Sequence, residues 1–223
     1  MSDDTRTRIL AAAGPVFAEK GFQAATVREI CQAADVNVAS INYYFGDKER
    51  LYIETVKQAH QLQHQQVAAP DWPEGTPPET KLRDFVETML TTMIGVKTAR
   101  WQNELLMREM VEPTNACREL VQENVRPRFE LLLGILDEVL PPEVPRFKRH
   151  QIALSIVGQC LHYHVGRAVI PLLVNEEDLR EEYTPGRLAK HIADFSLAAL
   201  GLTPSLSEAC SREAAPIAAE NTP

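Results

Sequence analysis

Asn37, Val38, Ala39, Ser40, Asn42 and Tyr43 bring amide, small apolar, hydroxyl and aromatic side chains together within seven residues. None of them is a nucleophile with a base beside it. Their chemistry is that of contact with base edges. An Asn amide pairs bidentately with the major-groove edge of adenine, and a small apolar group such as Val38 or Ala39 meets the methyl of thymine. Four neighbours suit a phosphate backbone. Thr26 places a hydroxyl at a helix start, where N–H groups attract anions. Arg28 reaches a phosphate or, bidentately, a guanine. Tyr44 and Lys48 offer a phenol and an ammonium. Plainer readings stand beside these: Thr26 and Asn37 as helix caps, Val38 as core, Arg28 as a solvated surface group.

These residues need short, rigid elements to hold them. Thr26-Val27-Arg28-Glu29 reads as a capping box opening a helix with Val27, Ile30 and Cys31 inside. Ala33–Val36 makes a tight turn. Asn37 caps a helix over Val38–Tyr44. Ile41 and Phe45, four apart, face inward, so Ala39, Ser40 and Tyr43 face away, with Val38 and Asn42 at the margin. A helix over Asp4–Lys20 precedes them, with Ile9, Leu10, Ala13, Val16 and Phe17 at helical spacing and Gly21 as C-cap. Asp47 caps a fourth helix from Lys48, carrying Leu51, Tyr52, Val56 and Ala59 inward. It runs on through His60–Gln66, which reads as polar and exposed. Two short helices across a tight turn, braced by a third, form a helix-turn-helix.

The rest also reads as helical. APDWPEGTPP, from Ala69 to Pro78, is a break. Helices are expected over Glu79–Val96, Arg100–Val111 and Ala116–Leu140, the last kinked by Pro127. Pro141, Pro142 and Pro145 mark a boundary. Arg146–Val169 is apolar on more than one side. Pro185–Leu200 carries two stripes, Leu188/Ile192/Phe195/Ala199 and Ala189/Ala193/Leu197/Leu200. A helix with two apolar faces needs more than one intramolecular neighbour. The tail after Gly201 reads as disordered. The expected class is all-α, with a head over 1–50, a helical body over 51–202 and a tail over 203–223.

Composition narrows the function. The 223 residues carry a net charge of −8, which argues against indiscriminate nucleic-acid binding. From Thr5 to Lys57 seven basic residues face six acids, so the head is near neutral and the body holds the acidity. No apolar run approaches a membrane span. The start, MSDDTRTRIL, does not read as a secretory signal, so the expected location is cytoplasmic. The four cysteines are scattered without a CxxC pair, against a metal site or disulfide framework.

At Thr26–Leu51, with Thr5–Phe22 before it, the chain resembles the N-terminal domain of TetR/AcrR-type transcriptional regulators. The matching residues are Gly21-Phe22, the T-V-R-E-I capping box, the turn through Ala33, Ala34 and Val36, and Y-Y-F-G-D-K-E-R-L up to Leu51. The body resembles the CecR-like subgroup, through Arg108-Glu109-Met110, Pro113-Thr114 and Val125-Arg126-Pro127. This resemblance implies a homodimer with two heads on one body, bound to a double-stranded operator and released by a small molecule.

Trp101, Met107, Arg108, Arg126, Phe129 and Tyr163 are the candidates for that molecule, with Arg108 or Arg126 anchoring an anion. The expected pocket lies between the Pro127-kinked helix and the two before it. His162 and His164 are two apart and point apart, whereas joint metal binding on a helix needs i, i+4. No catalytic residue, cofactor or metal is assigned. A helical enzyme or small-molecule carrier is the competing reading, and a protein-interaction adaptor a third. The enzyme would need paired carboxylates or a nucleophile with a base. Glu104 and Glu109 are five apart, and no Ser–His or Cys–His motif stands out.

Overall fold

The computed structural model describes residues 2–202, with side chains from residue 4. The expected tail disorder over 203–223, and Cys210, lie outside the described residues. Among the described residues the chain is helical throughout, without a strand. The described residues pack as two compact units: those up to Ala68 with Val96–Glu130, and Ala69–Gly95 with residues 131–202.

The first unit begins with α1 (Ser2–Ala24), two helical runs merged across a kink at Gly21, whose φ of 73° favours glycine. Then come α2 (Val27–Ala34), α3 (Val38–Phe45) and α4 (Lys48–His64). After the second unit's first segment, the chain returns with α6 (Arg100–Val111) and α7 (Asn115–Leu120). Ile9, Phe17, Ile30, Ile41, Leu51, Tyr52 and Val56 form one core with Leu105, Ala116 and Leu120. Phe17 meets Tyr52 edge-on, with centroids 4.8 Å apart, a favoured aromatic geometry. Trp101 of α6 lies across Gly14 of α1; a Cβ there would sit 2.5 Å from the indole.

The inner face of α4 continues past Ala59. His60 and Gln63 are buried and His64 half-buried, which corrects the expected exposure at these three positions, while Gln61, Leu62, Gln65 and Gln66 are exposed as expected. The i+3/i+4 rhythm carries on there with polar side chains. Gln63 Nε2 donates to Asn103 Oδ1 at 3.3 Å, so this inward position is satisfied without being apolar.

The second unit holds α5 (Pro78–Leu90), α9 (Arg146–Val165), α10 (Glu176–Glu182) and α11 (Pro185–Ala199). α11 packs chiefly on α5 through Leu188, Ala189, Ile192, Ala193 and Leu197. The two stripes thus merge into one broad inner face, and Phe195 turns outward. α9 stops earlier than expected, at Val165, and two 3-10 turns follow, Gly166–Ala168 and Ile170–Leu172. α10 was not expected. It has no apolar periodicity and rests on its Asn175 cap, whose Oδ1 accepts from Asp178 N at 2.9 Å. Glu176, Glu177 and Asp178 in its first turn suit the helix dipole.

The run through α7 and α8 (Arg126–Val139) departs from α-geometry just before Pro127, in a π-turn at Val121–Val125. A prolyl ring clashes with the carbonyl four residues back, here Glu123. The wider turn gives that ring room.

Candidate nucleic-acid interface

α2 opens on a complete capping box. Thr26 Oγ1 accepts from Glu29 N at 3.2 Å, and Thr26 N donates to Glu29 Oε2 at 3.0 Å. The Thr26 hydroxyl also donates to Glu29, at 2.8 Å. Lys20 pairs with the same carboxylate; that bond first, then Thr26, holds Glu29 down to about 2. Thr26 is therefore spent as a cap. The N–H groups of Val27 and Arg28, which have no intrahelical acceptor, are what α2 presents to a phosphate. Arg28 is exposed.

The turn after α2 is fixed from α1. Asp35 takes the left-handed conformation, φ 52°, and Val36 N donates back to Cys31 O at 3.0 Å. Arg8 donates to the carbonyls of Ala34 and Asp35 at 2.8 and 3.0 Å, satisfying the end of α2. Sequence reading did not single out Arg8, since nothing local links it to residues 26 positions away.

Asn37 caps α3, its Oδ1 accepting from Ser40 N at 2.9 Å and from the Ser40 hydroxyl at 3.1 Å. Ile41 and Phe45 are buried, which fixes the rotation of α3. Val38 is 48% and Tyr43 80% exposed, and Ala39 and Asn42 are exposed with them. Val38 thus stands outside the core. Tyr44 is half-buried, edge-on to Tyr43 at 4.9 Å. Asp47 caps α4 through Arg50 N at 2.7 Å. The Lys48 ammonium donates to Gln23 O at 3.2 Å and lies 4.8 Å over the Phe22 ring, keeping further N–H donors for a phosphate.

Most cations of this region are already paired. Arg6 meets Glu54, Arg50 meets Glu54 and Glu119, and Lys57 meets Glu119 and Glu123. Arg28 and Lys48 have no carboxylate partner among the described residues. The side chains on offer are a polar-apolar helix face flanked by two cations, suited to reading a groove.

A joint between α4 and the α6–α7 corner was also missed. Glu109 is buried. Its carboxyl group accepts from Tyr52 Oη at 2.5 Å, Thr114 N and Oγ1 at 3.0 Å, and Cys117 N at 3.0 Å. Burial first, and then Glu109, push the Tyr52 phenol well above its ordinary value, so it is a fixed donor. Sequence contained one sign of this, the Glu109…Thr114 spacing.

The expected effector residues are dispersed. Trp101 packs on Gly14, and Arg108 donates to Ala18 O at 3.2 Å, so both brace α1. Met107 and Phe129 are half-buried and Arg126 is exposed. Tyr163, in the second unit, meets Tyr183 edge-on at 6.2 Å. His164 is buried with Nδ1 on Met93 O at 2.8 Å, while His162 is exposed. A cleft of about 300 Å³ is lined by Lys20, Phe22, Gln23, Tyr52, Arg108 and Pro113 among others; of the expected residues only Arg108 borders it.

Residues 9–55 match the tetR family of bacterial regulatory proteins. Residues 78–200, more than half of the chain, match the C-terminal domain of the HTH-type transcriptional dual regulator CecR. The chain is a TetR-family transcriptional regulator with a CecR-type C-terminal domain. The regulator is 24% identical over 191 residues to the HTH-type transcriptional dual regulator CecR of Shigella flexneri, spanning 82% of this chain and 85% of that protein. It is 41% identical over 56 residues to the HTH-type transcriptional repressor NicS of Pseudomonas putida, a likeness covering 25% of this chain and 26% of that one. Its fold matches a tetR-family regulatory protein from Rhodococcus RHA1, with a TM-score of 0.64 and 19% identity over 90% of this chain and 98% of that one.

Proposed function

We propose that the regulator is a homodimeric repressor that holds a near-palindromic operator and releases it when a small molecule binds its helical body. The observation that carries this is the outward face of α3. Val38, Ala39, Asn42 and Tyr43 are exposed together because Ile41 and Phe45 are locked in the core. In this reading Asn42 and Tyr43 read base edges, with Val38 and Ala39 against thymine methyls. Arg28, Tyr44, Lys48 and the α2 N-terminus at Thr26 hold phosphates. Asn37 and Ser40 keep the helix start rigid and stand close to the backbone.

Dimerisation rests on α9 and α11. Phe147, Leu154 and Val165 are 65%, 59% and 54% exposed along α9, and Phe195 of α11 is 44% exposed. An isologous pairing would bury both stripes. Repression is suggested by NicS, whose likeness lies in the head. The effector would draw on Met107 and Phe129 for apolar contact, since Trp101 and Arg108 are committed to α1. No catalytic step is assigned: Glu109, the one buried carboxyl group described, is occupied by Tyr52, Thr114 and Cys117.

Fluorescence anisotropy with the DNA upstream of the gene tests this. Binding should be tighter than to a scrambled duplex of the same composition. Equal affinity for the two would contradict it.

A further inference from the structure

Two arginines near the start of α1 reach past their own helix to the two ends of α3. Arg8 stands beside Ile9 and Leu10, which are buried, so its backbone is fixed to the core. Its Nη2 donates to Ala34 O at 2.8 Å and to Asp35 O at 3.0 Å, which uses both hydrogens of that nitrogen. These carbonyls close α2, where intrahelical donors run out and the helix dipole is negative. Three residues after Asp35, α3 begins at Val38. Arg6 holds the far end. Its guanidinium carbon lies 5.3 Å from the ring centre of Phe45, the last residue of α3, and it pairs with Glu54 of α4 at 3.0 Å.

The near end needs such a hold. With φ 52°, Asp35 is the one left-handed residue other than glycine among the described residues, a conformation that side chains disfavour. Val36 N donates to Cys31 O at 3.0 Å and Asp35 N to Gln32 O at 3.4 Å. Both bonds tie the turn back to α2 alone. Burial of Ile41 and Phe45 fixes which face α3 turns outward, but its tilt against α2 passes through this turn. Arg8 is what joins the turn to α1, and so to the core of the head.

We propose that Arg8 is a positioning residue for operator recognition: it aims α3 from behind by holding the turn before it, and it does not touch DNA. This rests on the reading of α3 as the helix that enters the groove. A segment already held in its bound conformation avoids the cost of ordering when it binds. Base contacts need α3 in one orientation, so losing the hold falls on them. Phosphate contacts carry no sequence information and tolerate a looser fit. Arg8 therefore contributes to the difference between the operator and other DNA rather than to affinity for DNA in general. Its side chain is exposed, so a phosphate is the competing partner. The two carbonyls that already share Nη2 favour positioning.

The test is fluorescence anisotropy of the full-length protein on the DNA upstream of its gene and on a scrambled duplex, over a range of salt. Affinity is expressed per folded protein, from circular dichroism. Arg8→Ala should bind the upstream DNA about three- to tenfold more weakly. Its affinity for the scrambled duplex and its salt dependence should match wild type, since no phosphate contact is lost. Arg8→Lys keeps a cationic donor for the carbonyls and should lie between the two; it carries the test if Arg8→Ala does not fold. The proposal is overturned if both variants bind the upstream DNA within about twofold of wild type, whatever their melting temperatures. Equal loss on both duplexes, with a salt dependence lower by about one counterion, would show a phosphate contact and also overturn it. Asn42→Ala separates this from the reading beneath it. Uniform loss over operator variants for Asn42→Ala removes α3 as the reader. A shifted base preference for Asn42→Ala, beside Arg8 variants that bind as wild type does, removes only the role of Arg8.

Discussion

Asn42 and Lys48 both stand at the surface of the head, yet truncating them should have different consequences. Lys48 holds an ammonium beside the Gln23 carbonyl, where it would meet a phosphate. Lys48→Ala should weaken binding to every sequence alike and reduce the salt dependence by about one counterion. Asn42→Ala should cost about 1–3 kcal/mol at particular base pairs and little at others. Affinity measured over a set of operator variants checks both; uniform loss for Asn42→Ala would remove it as a reader. A second residue-scale expectation concerns His60 and His64, held to about 3 and about 4, chiefly by burial. Both lie below the unfolded value of 6.5, so unfolding takes up protons between. Stability should therefore be full above about pH 6.5 and fall as pH drops toward 4. Melting temperature followed over that range should fall less in His60→Gln/His64→Gln; an unchanged slope would count against the burial. Asn37, Asp47 and the capping box were legible because a cap is a local pattern. Burial of His60 was not, because a polar residue on an inward face looks like surface until the facing helix is known.

At the scale of elements, Glu109 decides how α4 is held. Its carboxyl group caps α7 through Cys117 N and receives Tyr52, which packs on Phe17 and Phe22 of the head. Glu109→Ala would leave a buried phenol and the N–H groups of Thr114 and Cys117 without their acceptor, at about 1–3 kcal/mol for each such group. Glu109→Gln keeps acceptance through one oxygen and should lose less. Denaturant unfolding of both variants gives the comparison, and equal stability of Glu109→Ala and wild type would contradict the joint. Thr26→Ala should cost about 1 kcal/mol through the lost cap. The elements of the head could be read directly, since apolar spacing, Gly21 and the caps agree. α10 could not, because acidic residues without apolar rhythm carry no face to detect. Nor could the π-turn before Pro127: the proline announces an irregularity but not the residue that absorbs it.

At the scale of the molecule, two heads must act together. Leu197 is buried within the protomer, so a charge there would damage the fold, whereas Leu154 and Phe195 are exposed. Leu154→Glu with Phe195→Glu should give a folded monomer by sedimentation, with unaltered helical circular dichroism and lost operator affinity. A dimer that persists would place the interface elsewhere. Because most cations of the head are paired internally, non-specific affinity should be low and affinity should depend on sequence. Hydroxyl-radical footprinting of the regulator on the DNA upstream of its gene tests the central claim most directly. Two protected, symmetry-related patches, their centres about 34–36 Å apart or somewhat further along the helix, are expected. They should vanish with the double Glu variant, and their base preference should shift with Asn42→Ala. A single patch, or protection spread evenly over unrelated DNA, would contradict a dimeric reader built on α3.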